Sequence, residues 1–481
     1  MDAGFLYMET PSVHMHTLKI AILEGNEHLT WDNFTQAMMA RLKRLPPLRR
    51  RAVEIPFGLN HPVWVTMSRI DPKSHIIRHR VPGDGTMRDL EELIGRISSN
   101  PLDRRFPLWE LHFCEGLEGG RTAIVGKLHH ALADGGAANA LLGNVTDVRS
   151  ADLPATPDDE YDTADRVPAK LQLMRDGLRD ALIQSLSLPA LIKRTVSGLR
   201  AVIRYRRNEG GGGVPRPVLD APRVSINGAL TRKRTFATVT LPLSEFKRIR
   251  LQHDEVTLND LVLAVVSGAL RQWLVLHDEH PSSSLTAGVP VGIDERDAAP
   301  RLGGNRLSNM FTTLATDIDD PTERLQTIAR TTRHAKEIQN RMGKAMMSDW
   351  TQFAPPRPFA FLVRTYSKLR AAQWHPSAFT AIVSNVPGPR EPATIGGTRL
   401  SGLFSVGPLA DGIGLNATVW SYVDKMNFSL LACPDLLPDV EVLATFFPGA
   451  LAELDLDRES DLRQGTDQDT LSDPRNGQAT A

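Results

Sequence analysis

Alternation of residue types predicts a β-strand over residues 121–130, which contain no helix breaker. Neighbouring side chains on a strand face opposite sides of the sheet. One face of this strand would carry uncharged side chains and the imidazole of His130, whereas the other would carry Arg121, Lys127 and His129. Because the first face has fewer charges, the pattern predicts that His130 points into the protein and that His129 points toward a more polar side.

The residues after this strand predict the start of a helix. Asp134 precedes a run of small residues at 135–138, and two leucines follow. Aspartate is a favoured N-cap because its carboxylate accepts hydrogen bonds from the unpaired N–H groups of the first helical turn. The strand and the helix together predict an inward imidazole at a strand end, with a carboxylate at a helix entrance four residues later.

Three interpretations of this histidine and carboxylate are compatible with the residues alone. The first is a buried histidine beside a helix cap. The second is a metal site, although adjacent histidines on a strand diverge and their spacing differs from that of zinc sites. The third is a general base, because an imidazole with a pKa of about 6.5 can accept a proton at neutral pH.

Elsewhere the pattern predicts strands and helices in two halves of similar size. The first half is expected to contain strands at 14–24, 109–114 and 121–130, and helices at 30–45 and 86–98. The second half is expected to contain strands at 235–241, 285–293, 307–316, 378–386 and 399–406, a hairpin at 415–433, and helices at 257–274, 320–342 and 440–454.

Composition changes mark the boundaries between these parts. Residues 151–165 are acidic and rich in proline, which indicates a linker, whereas 171–207 are expected to be helical with an interruption at Pro189. Four glycines at 210–213 indicate a flexible joint, and the polar tail is expected to be disordered. The predicted division is an N-terminal domain at 1–150, a linker region at 151–220, a C-terminal domain at 221–457 and a tail at 458–481.

The predicted linker helix is strongly basic. Residues 181–208 contain apolar side chains at helical spacing and no acidic residue. One interpretation is a helix that lies on an anionic membrane surface, and the other is a helix that bridges the domains with a hydrated basic face. The six basic residues are Lys193, Arg194, Arg200, Arg204, Arg206 and Arg207.

Composition restricts the class of protein. A chain of 481 residues is too long for one ordinary core, and its 41% hydrophobic content is typical of soluble globular proteins. A net charge of zero gives no indication of nucleic-acid binding. Cys114 and Cys433 lie far apart and form no metal or redox motif. The N-terminus lacks the basic region of a signal peptide. The longest apolar run, at 261–270, is shorter than a membrane span. We therefore expect a cytoplasmic protein whose lipid contacts are peripheral.

Three short motifs resemble those of a known family. The sequence HHALADG at 129–135 matches the HHxxxDG signature of CoA-dependent acyltransferases and peptide-synthetase condensation domains. The sequence PLW precedes it at 107–109, and ND follows at 259–260. In this combination the chain resembles the bacterial bifunctional wax ester synthase/diacylglycerol acyltransferases from Asp2 to about Asp455. The resemblance implies an α/β fold (an α+β sandwich) of two chloramphenicol-acetyltransferase-like domains with a helical linker and a tunnel between the halves.

The resemblance also implies an activity. Such enzymes transfer an acyl group from acyl-CoA to diacylglycerol, which gives triacylglycerol, or to a long-chain alcohol, which gives a wax ester. Acyl-CoA is then a substrate, and neither a cofactor nor a metal is expected. Because the acceptors are almost insoluble in water, we expect the enzyme to work at a membrane or lipid-droplet surface.

Site residues follow from the family motif. The general base is the second histidine, His130, which is also the residue that the alternation places inward. His129 is expected to support the strand end. Asp134, followed by Gly135, is expected to shape the loop by pairing with an arginine, for which Arg296 is a candidate.

The other two motifs carry no nucleophile. Pro107, Leu108 and Trp109 have no reactive group and are expected to pack around the acyl tunnel. Asn259 is a candidate donor to the oxyanion of the tetrahedral intermediate. Thr257 and Asp260 have the spacing of a capping box, so Asp260 is expected to close a helix end.

Two other functions remain open at this point. One is an amide-forming, condensation-like enzyme that uses carrier-protein thioesters, which is disfavoured because the 481 residues contain no carrier or adenylation module. The other is a lipid-binding protein without catalytic activity, which the intact HHxxxDG motif disfavours.

Overall fold

Two six-stranded sheets with helices packed against them form a mixed α/β architecture, as the sequence predicted. The computed structural model describes residues 2–42, 45–147, 167–208, 213–294 and 301–457. The strands are β1 (His16–Leu23), β2 (Arg50–Val53), β3 (Val63–Thr66), β4 (Ile76–Arg80), β5 (Trp109–Glu115), β6 (Thr122–His129), β7 (Thr235–Pro242), β8 (Thr286–Gly292), β9 (Leu307–Thr313), β10 (Ala381–Val386), β11 (Thr394–Ile395), β12 (Thr398–Val406), β13 (Leu415–Tyr422) and β14 (Lys425–Ala432). The helices are α1 (Asp2–Met8), α2 (Trp31–Leu42), α3 (Met87–Ser98), α4 (Gly135–Val145), α5 (Lys170–Asn208), α6 (Leu243–Gln252), α7 (Leu258–Leu276), α8 (Pro321–Met342), α9 (Met346–Thr351), α10 (Pro356–Lys368), α11 (Val440–Thr445) and α12 (Phe447–Ala452).

The first sheet carries the HHxxxDG motif and has the order β11-β12-β1-β6-β5-β4. Its central strand β1 is antiparallel to both neighbours, so that His16 lies opposite His129 and Leu18 lies opposite Val406. Strand β12 comes from the second half of the chain. The C-terminal half therefore completes the sheet of the N-terminal half, a pairing of distant segments that local patterns cannot reveal.

The second sheet has the order β7-β14-β13-β10-β8-β9 and contacts the apolar helix α7. Among the described residues, α7 is the one helix long and apolar enough to cross a membrane by length and composition. About 72% of that apolar window is buried inside the protein, where it forms part of the C-terminal core. Burial of this kind is what a core helix shows, so we assign α7 to the core.

Helix α5 corrects the prediction for the linker region. An interruption was expected at Pro189, but the helix is continuous over 39 residues with Pro189 inside it. Pro189 is exposed, so water can bond the carbonyl that loses its intrahelical partner. The acidic segment 151–165, most of the glycine joint 210–213 and the tail at 458–481 lie outside the described residues.

Candidate active site

The turn between β6 and α4 positions the motif. The backbone N–H of His130 donates to the carbonyl of Met15 at 2.7 Å, which ties the end of β6 to β1. Asp134 caps α4, since its Oδ1 accepts from the N–H of Ala137 at 2.9 Å. The predicted strand end and helix entrance are therefore both present.

Asp134 joins this turn to a distant loop. Its Oδ2 contacts Arg301 at 2.6 Å and accepts from the N–H of Arg306 at 2.7 Å. Burial alone would raise the pKa of Asp134, but the hydrogen bonds from Ala137, Arg306 and Arg301 outweigh burial and hold the pKa below its ordinary value. Arg301 is thus the arginine that pairs with Asp134, whereas the candidate Arg296 lies outside the described residues. The described side-chain contacts of Asp134 are with the helix and the loop.

Asn305, in the same loop, holds the ring of His130. The amide nitrogen of Asn305 donates to the Asp2 carboxylate and to the carbonyl oxygen of His130, each at 2.8 Å. Both of these partners are acceptors, so the amide oxygen must face the other way, toward Nδ1 of His130 at 2.9 Å. Nδ1 must then carry the proton, and the neutral ring has its lone pair on Nε2.

Nε2 of His130 is available for chemistry. The ring is half-buried and stacks on Phe5, with centroids 4.1 Å apart. No described residue forms a hydrogen bond with Nε2 of His130. This atom is not among the polar side-chain atoms that are fully buried without a partner. Burial lowers the pKa of His130 to about 4, an effect that the Asn305 hydrogen bond only partly offsets. The imidazole is therefore neutral at physiological pH and can accept a proton at Nε2.

His129 has a different and structural environment. The N–H of Ala131 donates to Nδ1 of His129 at 3.0 Å, so the proton of the neutral ring sits on Nε2, which faces Glu9 at 3.7 Å. Arg104 contacts the same carboxylate at 2.6 Å. Burial opposes ionisation of Glu9, but His129 and Arg104 prevail and lower its pKa to about 2. The three side chains link α1 to the end of β6.

The burial of the two histidines differs from the prediction. His129 is 0% exposed, whereas His130 is half-buried. Strand β6 ends at His129, so the alternation does not extend to His130. The side that was predicted to be the more polar one is an interior layer, in which Lys127 is buried and pairs with Glu110 at 3.1 Å.

The PLW motif borders an apolar cavity. Trp109 is buried at the start of β5, and its indole N–H donates to the carbonyl of Leu48 at 2.6 Å. The cavity has a volume of about 60 Å³ and lies between this sheet, α2 and α4. Its wall includes Trp109, Gly126, Leu128 and Ala138, and Leu128 lies only two residues before His130.

The ND motif lies at the start of α7. Thr257 and Asp260 form the predicted capping box, and Thr332 on α8 donates to Asp260 at 2.6 Å. Within the described chain, no hydrogen bond joins Asn259 to His130 or its neighbours, so its oxyanion role stays a prediction. Gly135, by contrast, lies near the end of β10, since a Cβ on it would lie 3.6 Å from Val386.

Two important residues escaped the sequence analysis. Asn305 and Arg301 lie in a glycine-containing loop between β8 and β9, and asparagine beside glycine is typical of ordinary turns. Only the fold brings Asn305 to His130, 175 positions earlier in the chain. Among the described residues there is no group of three or more potential metal ligands.

Comparisons with known proteins find relatives over most of the chain. Residues 1–262 match the model of the wax ester synthase/diacylglycerol acyltransferase catalytic domain, and residues 303–455 match that of the family's C-terminal domain. One Mycobacterium tuberculosis protein, named a putative diacylglycerol O-acyltransferase, is 38% identical over 433 residues, 89% of each chain. A second protein of that species with the same name is 34% identical over 461 residues, 94% of this chain and 89% of its own.

Solved structures show the same relationship. The wax ester synthase/diacylglycerol acyltransferase from Marinobacter aquaeolei matches with a TM-score of 0.64 at 25% identity, over 95% of this chain and 98% of that one. The first condensation domain of the calcium-dependent antibiotic synthetase matches with a TM-score of 0.56 at 14% identity, over 94% of both chains, which shows a shared fold. The chain therefore belongs to the wax ester synthase/diacylglycerol acyltransferase family.

Proposed function

We propose that the protein transfers a long-chain acyl group from acyl-CoA to the hydroxyl of diacylglycerol, or of a long-chain alcohol, with His130 as the general base. The observation that carries the proposal is the neutral imidazole of His130, whose Nδ1 is bonded to Asn305 and whose Nε2 is free. The names of the family and of its relatives support the choice of acyl donor and acceptor.

The proposed reaction needs one proton acceptor and no covalent acyl-enzyme. Nε2 of His130 takes the proton of the acceptor hydroxyl while its oxygen attacks the thioester carbonyl. The tetrahedral intermediate collapses, the carbon–sulfur bond breaks, and the CoA sulfur takes the proton from Nε2. Asn305 keeps Nδ1 protonated throughout, so Nε2 is the atom that exchanges the proton.

Acyl transfer from radiolabelled palmitoyl-CoA tests this proposal. With diacylglycerol or hexadecanol as the acceptor, we expect labelled triacylglycerol or wax ester. The absence of both products above a heat-inactivated control would refute the proposal. Acylation of an amine from a carrier-protein thioester, with none from CoA, would favour the condensation-like alternative. Binding of acyl chains without any product would favour a lipid-binding protein.

The apolar cavity beside Trp109 is the proposed site of the acyl chain. Gly126→Ala should lower kcat/KM for palmitoyl-CoA about tenfold, because one methyl group occupies cavity space, and should leave acetyl-CoA nearly unaffected. A Cβ at Gly126 would lie 3.4 Å from Leu111 and 3.7 Å from Leu128, which are ordinary contacts, so the fold should tolerate it. The measurement is kcat/KM against acyl length.

Gly292 supplies a matched control, because it ends β8 and a Cβ there would meet no atom within 4 Å. Gly292→Ala should leave the acyl-length profile unchanged. An unchanged profile in Gly126→Ala as well would place the acyl chain elsewhere.

Helix α5 is the proposed contact with a lipid surface. Four of its apolar side chains, Ile192, Val196, Leu199 and Ile203, are 40–49% exposed and follow helical spacing along one stripe. Lys193, Arg200, Arg204 and Arg207 are also exposed beside this stripe. Exposed apolar side chains flanked by cations are typical of helices that lie on anionic membranes. This supports a protein that docks peripherally on a membrane or lipid droplet.

Removing four exposed cations from α5 should weaken docking. The variant Lys193→Gln, Arg200→Gln, Arg204→Gln, Arg207→Gln should bind anionic vesicles at least about tenfold more weakly, since each charge near such a surface contributes about 1 kcal/mol. Activity on a short, water-soluble alcohol should persist. Arg206 is left intact because its guanidinium donates to the carbonyl of Val214 at 3.1 Å. Vesicle flotation measures the binding.

A second variant controls for net charge. It carries Lys73→Gln, Lys247→Gln, Arg250→Gln and Lys336→Gln, four exposed positions outside α5. Equal loss of vesicle binding in both variants, or no loss in either, would contradict docking through α5.

A further inference from the structure

The apolar cavity contains one buried cation, Lys19. This residue lies on β1, opposite Gly126 of β6 and opposite Ser405 of β12, and it is only 9% exposed. Its side chain forms part of the cavity wall, together with mainly aliphatic and aromatic groups. An unsubstituted hydrocarbon chain in this cavity would need only apolar neighbours. The presence of Lys19 in the wall is therefore not explained by such a chain.

The ammonium group of Lys19 is incompletely paired. Its Nζ donates to the hydroxyl oxygen of Ser405 and lies 4.8 Å from the centre of the Trp420 ring. In the described part of the chain it forms no ion pair with a carboxylate. An ammonium group has three N–H donors, and a buried charge without a counter-ion is unfavourable unless other acceptors reach it. The indole N–H of Trp420 is likewise buried without an acceptor, so donors outnumber acceptors in this region.

A second charged residue of the cavity wall does not neutralise Lys19. Glu110 touches the cavity, but its carboxylate pairs with Lys127 at 3.1 Å and with His112 at 3.2 Å. Burial lowers the pKa of Lys19 to about 8, with a smaller opposing effect from Asp134, so the amine remains mostly protonated at neutral pH. Lys19 therefore presents a positive hydrogen-bond donor to whatever occupies the cavity.

We propose that Lys19 makes the cavity selective for acyl chains that carry a hydrogen-bond-accepting oxygen along the chain, as hydroxyacyl and oxoacyl groups do. This inference rests on the proposed acyl-CoA donor and goes beyond it, because it names the chemical class of the acyl group. Such an oxygen would accept from Nζ and replace part of the hydration that the ammonium loses on burial. The register places Lys19 four residues from His130 along the sheet, roughly 13 Å at the usual rise per residue, so the oxygen must be remote from the thioester.

A series of hydroxylated donors tests this selectivity. Palmitoyl-CoA and palmitoyl-CoA analogues, with one hydroxyl stepped along the chain, are compared as donors to diacylglycerol. In the wild-type enzyme, one remote position should raise kcat/KM about tenfold above palmitoyl-CoA, the gain expected for a hydrogen bond to a charged group. In Lys19→Met, which keeps the side-chain length, that analogue should become a poorer donor than palmitoyl-CoA.

Lys425→Met is the matched control, because Lys425 lies on the other sheet and donates to the carbonyl of Ser401. It should retain the wild-type preference, and thermal unfolding establishes that each variant is folded. If Lys19→Met fails to fold, hydroxyl preference in the wild type still decides the question. Equal kcat/KM for all hydroxyl positions would overturn the selectivity while leaving acyl transfer intact. Absence of any transfer from palmitoyl-CoA or its analogues would instead refute the proposed function.

Discussion

Replacing His130 by alanine should lower kcat by about a hundredfold to ten-thousandfold, the usual contribution of a positioned general base. The substitution removes Nε2, which forms no hydrogen bond with any described residue. The fold should survive, since the His130 ring is half-buried and carries no ion pair among the described side chains. Single-turnover measurements with palmitoyl-CoA and diacylglycerol would separate the chemical step from product release.

The neighbouring histidine is the natural control. His129→Ala should reduce the melting temperature, because it leaves the buried Glu9 carboxylate facing Arg104 alone and opens space at a fully buried position. The folded fraction of that variant should keep far more activity than His130→Ala. Comparable and severe losses of kcat in both variants, with normal folding, would show that the two histidines act together.

Asn305→Leu should lower kcat about tenfold to a hundredfold, the range found for outer partners that orient a functional histidine. Without the amide, Nδ1 loses its acceptor and the neutral ring can place its proton on Nε2 instead. KM for palmitoyl-CoA should change little, because the described contacts of Asn305 are with Asp2 and His130. The split between kcat and KM distinguishes this positioning role from a general loss of structure.

Asn309→Leu, four residues further along the chain, gives the same change at a site that makes no hydrogen bond to His130. It should have near-normal kcat. Unchanged kcat in Asn305→Leu, with a normal melting temperature, would show that the hydrogen bond to His130 is dispensable.

The local sequence predicted those parts of the site whose structure depends on residues close together in the chain. The strand over 121–130, which ends one residue early at His129, the helix cap at Asp134 and the capping box at Asp260 each depend on a few adjacent residues. The partner of His130 could not be found in this way, because Asn305 looks like a turn residue in its own segment. Family motifs likewise identified the aspartate but not Arg301, since ion-pair partners are chosen by the tertiary fold.

Side-chain burial and the pairing between strands were harder to predict than the positions of the strands and helices. A face that carries Lys127 and His129 looks polar, yet both side chains are buried, with Lys127 paired to Glu110 and His129 facing Glu9. Strand β12 was predicted near its observed position, but its pairing with β1 depends on contacts across almost the whole chain. The helix interruption expected at Pro189 is absent, because in an exposed helix water can bond the one carbonyl that loses its intrahelical partner.

The dependence of kcat/KM on pH tests most directly whether His130 enters the reaction as a neutral base. Because burial lowers the pKa of His130 to about 4, the ring should already be neutral throughout the mildly acidic range. We expect kcat/KM for palmitoyl-CoA to be constant from about pH 5.5 to 8 and to fall only at lower pH, as Nε2 becomes protonated. Thermal unfolding at each pH separates this loss from denaturation. A fall of kcat/KM with an apparent pKa of about 6.5, the value of an imidazole in water, would contradict the assignment of His130 as a buried, neutral base.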